Sequence, residues 1–496
     1  ASRLCFPPLK LPSQPPLRGW GRGFGGGGRG LRPLAPSPKK NSLFTSGDMS
    51  PIPCFKAYDV RGRVPEEIDA GLAYRIGKAY AEHVGPRRVA VGRDVRLSSP
   101  ELVEAITSGL AETGVEVLDL GLCGTEQVYF ATAFHNLDGG IMVTASHNPP
   151  DYNGMKFVRQ GARPISGDSG LKEIEALTES HGAEAPGKKG VRTPQDALED
   201  YVKHLISYVD RKQLRPLKVV TNAGNGCAGP VIDALEPYLP FRFIKICHEP
   251  DGTFPHGVPN PLLLENREMT SKAVQEHGAE VGLAWDGDFD RCFFFDEAGN
   301  FMESYYLIGL LAQALLDRHP GGKIIHDPRL TWNTVEVVRQ VGGIPVMSKT
   351  GHAFIKERLR REDALYGGEM SGHHYFRDFA YCDSGMIPWL LVLEIMGRRG
   401  QPLSALIAER QRLYPVSGEI NRQVPDPDRG LARVEEAFRP EALNVDYTDG
   451  FSCEFAQWRF NLRKSNTEPV LRLNVESRGN RDLLEEMTES ILAMML

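Results

Sequence analysis

Ile141-Met142-Val143-Thr144-Ala145-Ser146-His147-Asn148-Pro149-Pro150 is an apolar run that breaks into a polar, proline-bounded turn. The run follows Gly139-Gly140 and reads as a buried strand. Asn148 and the two prolines favour a tight turn, and proline removes backbone donors. The Ser146 hydroxyl is therefore expected at a strand end, held rigidly on an exposed loop. Serines in polar turns are common, so an isolated Ser-His pair carries no chemistry by itself.

The same strand–helix rhythm surrounds this turn. A strand at 88–92, a helix at 99–112 and a strand at 115–120 precede it, and a helix near 170–181 follows. Ser99-Pro100-Glu101 suits a helix start. A second unit has a strand at 217–221, a turn at 222–226, a helix at about 230–238 and a strand at 241–247. A third has a strand at 323–326, a helix at 332–341 and a strand at 344–348. Alternation at these lengths argues for α/β domains with mixed or parallel sheets. The three units look like one building block used three times. Helical segments at 193–209 and 303–319 are expected to connect them. After Pro415 strand-like pieces crowd together at 451–454, 459–462 and 470–475, and an amphipathic helix at 481–495 closes the chain. That reads as a smaller α+β domain. The expected division is 49–195, 196–300, 301–415 and 416–496, preceded by a distinct segment, 1–48.

Asp286-Gly287-Asp288-Phe289-Asp290-Arg291 lies between strand-like Val281–Trp285 and Cys292–Phe295. Three carboxylates at alternate positions repel one another unless a hard cation neutralises them. The stretch therefore reads as a divalent metal site, with Mg²⁺ the expected ion. A calcium-binding loop is the competing pattern, because Glu297 falls at its last ligand position. Arg291 stands where that loop needs glycine, and the aromatic run beyond suits a strand better than an exiting helix. Arg291 follows the last carboxylate and can hydrogen-bond a phosphoryl group.

Two more loops concentrate polar chemistry. Glu369-Met370-Ser371-Gly372-His373 follows Gly367-Gly368, where backbone can approach a ligand closely. Glu369 and Ser371 can bind adjacent sugar hydroxyls, and His373 is a candidate acid or base near neutral pH. Arg463-Lys464-Ser465-Asn466-Thr467-Glu468-Pro469 combines cations, hydroxyls and loop amides suited to phosphate. Taken alone, each is equally well a polar turn or a basic hairpin loop.

TASHNPPDYNGMK, DGDFDR, GEMSGHH and RKSNTEP occur in the order found in the α-D-phosphohexomutases. The chain resembles the bacterial phosphomannomutases of that superfamily from about Phe55 to the C-terminus. The resemblance implies three α/β domains and a smaller fourth around a central cleft. It implies reversible interconversion of mannose 6-phosphate and mannose 1-phosphate through a phosphoserine at Ser146 and a hexose 1,6-bisphosphate. Mg²⁺ would then be held by Asp286, Asp288, Asp290 and an oxygen on Ser146. Lys156 would lie beside the phosphoserine, neutralising it or assisting proton transfer. His147 would bond the phosphate or only stabilise the turn. Tyr58, Arg61, Arg329 and His352 would face the cleft, although some relatives carry lysine where Arg329 stands. Glu369 and Ser371 would grip the sugar 3- and 4-hydroxyls. Arg463, Ser465, Asn466 and Thr467 would hold the phosphate that is not reacting.

Phosphoglucomutase or dual activity fits the same loops. Phosphoglucosamine mutases usually read GEQSGH and SGTEP, where this chain has Met370 and Asn466. An esterase lacks support, because Ser146 has no G-x-S-x-G elbow. A non-catalytic sugar-phosphate or calcium-binding protein is the alternative of another class. A serine hydroxyl needs a base, a metal or a stored high-energy group to act as a nucleophile, and phosphoserine supplies the third.

Composition narrows the partners. Of the 496 residues 41% are hydrophobic and 25% charged, ordinary for a globular chain of about three to four domains. A net charge of −6 argues against a nucleic-acid surface. No apolar run is long enough to span a bilayer, so no membrane partner is expected. Eight scattered cysteines without a CxxC pair suit a reduced, cytoplasmic setting. Residues 1–48 are Gly- and Pro-rich and lack acidic side chains before Asp48. They read as low-complexity and disordered, with a transit peptide or a natural start at Met49 as the two explanations. Oligomeric state is not legible in the sequence.

Overall fold

The computed structural model describes residues 52–180, 190–464 and 470–495. The described residues belong to one unit, Pro51–Leu496; the reading of residues 1–48 lies outside the described residues. This unit contains four sheets. The first three are mixed α/β sheets, of seven, five and five strands, and the fourth, also of five strands, is antiparallel throughout, in agreement with the fold class read from sequence.

The first sheet runs Val60–Arg63, Tyr152–Arg159, Gly139–Val143, Arg88–Arg93, Glu116–Leu122 and Arg192–Pro194, with Arg163–Ile165 paired to Tyr152–Arg159. Its centre is parallel, as the strand–helix alternation requires. Helices cover both faces. Val89, Val91, Ile141 and Val143 pack with the Ala70–Val84 and Ser99–Glu112 helices. Ala90 and Met142 point to the other face, toward the Thr125–Phe134 helix. Burial on both faces explains why these strands read as continuous apolar runs.

The second sheet centres on parallel Lys218–Asn222 and Val281–Trp285, and the third on Lys323–His326 and Tyr366–Gly368. In each of the first three sheets a parallel strand turns back into an antiparallel partner. The register pairs are Val143 with Met155, Trp285 with Cys292, and Gly368 with His374. Those three hairpins contain the serine turn, the acidic turn and the Glu369–His373 turn. Repetition of one unit thus places each polar loop at the same point of its sheet.

The Ser304–Arg318 helix matches its expected span to one residue at each end. The 193–209 helix does not. Arg192–Pro194 is an edge strand beside Glu116–Leu122, and only Leu198–Ile206 is helical. Pro194 explains the break, since proline cannot continue a helix interior but is tolerated on a sheet edge. The largest core cluster runs from Tyr129 through Tyr201, Trp285 and Leu311 to Trp389 and Tyr414. The first three sheets therefore share apolar packing.

Polar contacts join the fourth sheet to the third. Buried Arg459 donates to the carbonyls of Pro328 and Arg329 at 2.8 and 2.9 Å and pairs with Glu476 Oε1 at 2.9 Å. Glu476 also accepts from the Tyr305 hydroxyl and from the Thr331 amide at 2.7 Å. Removing one member of a buried pair leaves the other charge unpartnered, at a cost of about 3–5 kcal/mol. Arg459→Met is expected to lose stability in that range in urea unfolding followed by tryptophan fluorescence. A loss below about 1 kcal/mol would show that Arg459, with its bonds to Glu476 and to the Pro328 and Arg329 carbonyls, does not hold this junction.

Candidate active site

Ser146 sits where the Gly139–Val143 strand ends, with its backbone in the left-handed region at φ 49°. A non-glycine residue holds that conformation only when its surroundings enforce it. Arg96 is the enforcing group. Its fully buried guanidinium donates to the carbonyls of Ser146 (3.0 Å), Asn148 (2.5 Å), Pro149 (2.6 Å) and Tyr152 (2.9 Å). Asp94 holds Arg96 in turn, at 3.3 Å from Nε. Arg61 adds a bond of 2.7 Å to Asn148 Oδ1.

The acidic turn meets this loop. Gly287 is required there, because a Cβ would lie 2.7 Å from the Ser146 carbonyl oxygen. Ser146 Oγ donates to Asp286 Oδ2 at 2.7 Å. Arg291 donates to Asp286 Oδ2 at 2.8 and 2.6 Å, to Ser146 Oγ at 3.3 Å, and to His147 Nδ1. A guanidinium only donates, so His147 Nδ1 is an acceptor and its proton is on Nε2. Burial and the Arg291 charge hold the His147 ring well below its usual pKa, in keeping with a neutral imidazole. Lys156 Nζ bridges Asp288 Oδ2 and Asp290 Oδ2 at 2.7 and 2.6 Å.

Asp286, Asp288 and Asp290 are buried and each offers an oxygen within 4.8 Å of the others. Burial pushes the Asp286 carboxyl up to about 7, against the pull of Arg291. Burial acts the same way on Asp288 and Asp290, but Lys156 outweighs it and holds both below the carboxylate range. Lys156 in turn is raised above its ordinary value by those two carboxylates despite burial. Asp288 Oδ1 and Asp290 Oδ1 are buried with no hydrogen-bond partner. Two orphaned carboxylate oxygens beside a third carboxylate fit a hard divalent cation. The calcium-loop pattern does not form, because Glu297 is bonded to Ser404 and a strand follows Arg291.

The third hairpin approaches from the other side. Glu369 accepts from the Gly351 amide at 2.9 Å and the Tyr375 hydroxyl at 2.5 Å. Burial raises its carboxyl, against the charge of Arg329. Ser371 Oγ lies 3.0 Å from His373 Nδ1, and His373 Nε2 lies 3.6 Å from Asp290 Oδ1. Burial, then the Arg291 charge, hold His373 well below its usual pKa. His352 heads the His352–Glu362 helix, and its ring stacks 6.5 Å from His373 and meets Tyr58 edge-on at 5.9 Å. Arg329 is paired with Asp327 at 2.6 Å and faces Glu419 at 3.3 Å.

Arg463 closes the set, donating to Glu419 Oε2 at 2.8 Å. Ser465, Asn466 and Thr467 lie outside the described residues. Arg96, Thr125, Glu419 and the buried Lys356–Asp383 pair beside His373 were not singled out from sequence. No local motif marks them. Their partners are remote, as with Arg96 and Ser146, fifty positions apart.

Four family models match the chain in order: phosphoglucomutase/phosphomannomutase α/β/α domain I at 53–185, domain II at 199–299, domain III at 303–414 and the C-terminal domain at 419–494. The chain belongs to the phosphoglucomutase/phosphomannomutase family. It is 59% identical to a phosphomannomutase of Salmonella montevideo over 455 residues, 90% of this chain and 100% of that one. It is 58% identical to a protein of Xanthomonas campestris pv. campestris named for phosphohexose mutases, covering 89% of this chain and 98% of that one. A crystal structure of a phosphoglucomutase/phosphomannomutase family protein from Burkholderia thailandensis superposes with a TM-score of 0.80 at 33% identity, covering 89% and 96% of the two chains. Among the described residues no helix is long and apolar enough to cross a membrane, and all seven cysteines are free.

Glu419 gives the site a pH signature. Burial opposes its charge, but Arg329 and then Arg463 outweigh that and hold its carboxyl at about 2, below the ordinary 4.5. A depressed folded-state pKa contributes stability above about 4.5, and the contribution is lost as pH falls toward 2. Its size is on the order of 3 kcal/mol. Glu419→Gln is therefore expected to melt below the wild type at pH 7, with the gap narrowing toward pH 3. A gap independent of pH would show that the carboxylate charge is not what holds the two arginines.

Proposed function

We propose that the protein is a phosphomannomutase, interconverting mannose 1-phosphate and mannose 6-phosphate through a phosphoserine at Ser146. The observation that carries this reading is the Ser146 hydroxyl, 2.7 Å from Asp286 and within reach of Arg291 in a buried acidic cluster. The names of relatives at 57–59% identity over nearly their whole length support mannose phosphates as substrates.

In the proposed reaction the bond from phosphorus to Ser146 Oγ breaks as a bond to the free sugar hydroxyl forms. The hydroxyl proton passes to a base in the site. The product is a hexose 1,6-bisphosphate, which turns end for end and returns its other phosphoryl group to Ser146. A divalent cation held by Asp286, Asp288, Asp290 and an oxygen on Ser146 would offset charge on the transferring group. Lys156, kept charged between two carboxylates, suits charge neutralisation rather than proton abstraction. Arg291 would hydrogen-bond the phosphoryl oxygens. Glu369 and Ser371 would hold the sugar hydroxyls, with Tyr58 and His352 bounding the ring. Arg329 and Arg463 would receive the non-reacting phosphate, which then replaces Glu419 as the partner of Arg463, while Arg61, bonded to Asn148, would face the cleft at the serine turn. His373 is the nearest imidazole to the acidic turn from the sugar loop and is a candidate for moving the proton. Mg²⁺ is the proposed ion, hexose 1,6-bisphosphate the activator and intermediate, and a cytoplasmic phosphosugar pool the setting.

Purified protein with Mg²⁺ and a trace of hexose 1,6-bisphosphate is expected to convert mannose 1-phosphate faster than glucose 1-phosphate. Ser146→Ala is expected to lower turnover at least about a thousandfold, as loss of an attacking nucleophile does. Wild-type turnover in Ser146→Ala would refute the phosphoserine route. Equal rates on the two sugars would make the protein a dual mutase.

A further inference from the structure

We propose that Thr125 and Glu126 are positioning residues that set the cation-binding geometry of Asp288 from a neighbouring domain. The inference rests on the reading of Asp286, Asp288 and Asp290 as cation ligands. Thr125 opens the Thr125–Phe134 helix of the first α/β domain, yet its partners lie in the acidic turn of the second. Its amide donates to the Asp288 carbonyl at 3.1 Å. Its hydroxyl donates to Asp288 Oδ2 at 2.5 Å. Lys156 reaches the same oxygen at 2.7 Å. Both donors thus fall on Oδ2, and Oδ1 is left buried without a partner. Two donors on one carboxylate oxygen fix the rotation of the group and commit the other oxygen to a ligand from outside the protein. Outer partners of metal ligands act in this way and change affinity when removed.

Glu126 holds Thr125 in place. It is fully buried, and none of its observed donors is charged. The Ser384 hydroxyl (3.0 Å) and the Tyr201 hydroxyl donate to Oε1, and the Gly385 and Met386 amides donate to Oε2 at 2.5 and 3.4 Å. Burial raises the Glu126 carboxyl to about 8 despite those donors, and burying so polar a group is costly even when neutral, which argues for a positional return. Gly385 in turn packs on the acidic turn: a Cβ there would lie 2.3 Å from the Phe289 carbonyl oxygen. Trp285 Nε1 donates to the Gly385 carbonyl at 2.9 Å. Asp288, Thr125, Glu126, Gly385 and Phe289 therefore form a closed circuit through three domains. Sliding the acidic turn past the helix would break it at two points.

The test is calorimetric titration of Mg²⁺ into full-length protein stripped of metal by chelation. Wild type, Thr125→Val, Thr125→Ser and Glu126→Gln are compared, with melting temperatures measured alongside. Thr125→Val removes the hydroxyl at constant volume and is expected to weaken Mg²⁺ binding about tenfold. Thr125→Ser restores the donor and is expected to restore affinity to within about threefold, the scatter of such substitutions. Glu126→Gln keeps a carbonyl oxygen for the Gly385 and Met386 amides but sets its amide nitrogen against the Tyr201 and Ser384 hydroxyls, which must then turn to accept, and it is expected to weaken binding several-fold. The mannose 1-phosphate KM at saturating Mg²⁺ should stay unchanged in Thr125→Val. Wild-type affinity in a folded Thr125→Val variant would overturn the proposal. If Glu126→Gln fails to fold, the valine and serine variants decide. A wild type that binds no Mg²⁺ would instead overturn the ligand reading itself.

Discussion

Asp286, Asp288 and Asp290 are buried within a few ångströms of one another, and their mutual repulsion is the constraint around which the site is arranged. Carboxylates in so dry a place either take up protons or recruit positive charge. The chain does both. Asp286 is pushed upward by burial, while Lys156 from the first sheet and Arg291 from the acidic turn supply two cations. Those cations leave part of the carboxylate surface open, at Oδ1 of Asp288 and Asp290. A site that is neither fully neutralised nor fully hydrogen-bonded is poised for a ligand carrying positive charge, with the Ser146 hydroxyl at its edge.

The repeated sheet explains how groups scattered from Tyr58 to Arg463 reach one region. A parallel strand turning into an antiparallel partner occurs once in each of the first three sheets, and each turn projects its loop from the same end. Apolar packing continuous from Tyr129 to Tyr414 fixes these three loops relative to one another. The fourth sheet is joined differently, by bonds from Arg459 to the Pro328 and Arg329 carbonyls and from Tyr305 and Thr331 to Glu476. Glu419 lies between Arg329 of the third domain and Arg463 of the fourth, so a carboxylate stands between cations suited to phosphate. A phosphate of higher charge is a natural competitor for that place.

The sequence carried much of this in local form. Apolar runs bounded by glycine and proline marked the central strands. Alternating carboxylates marked the acidic turn. What it could not carry was pairing across distance. Nothing around Arg96 announces that it braces Ser146, because its four acceptors are backbone carbonyls without side-chain identity. The Thr125–Phe134 helix was not read from the sequence, and nothing local to Thr125 or Glu126 marks their remote partners. The false helix at 193–194 arose because an edge strand of three residues has too little periodicity to be recognised. The loop at 465–467, read from the sequence as phosphate-binding, falls outside the described residues, and of that group Arg463 has a geometric account.

The phosphoserine shuttle can be tested without any sugar preference being known. Protein carrying a ³²P-labelled phosphoryl group on Ser146 would be mixed with excess unlabelled mannose 1-phosphate and stopped within one turnover. Label leaving the protein and appearing in a hexose bisphosphate and then in mannose 6-phosphate is the expected result. Label that stays on the protein while mannose 6-phosphate accumulates, or that is released only as inorganic phosphate, would contradict a role for Ser146 as phosphoryl carrier.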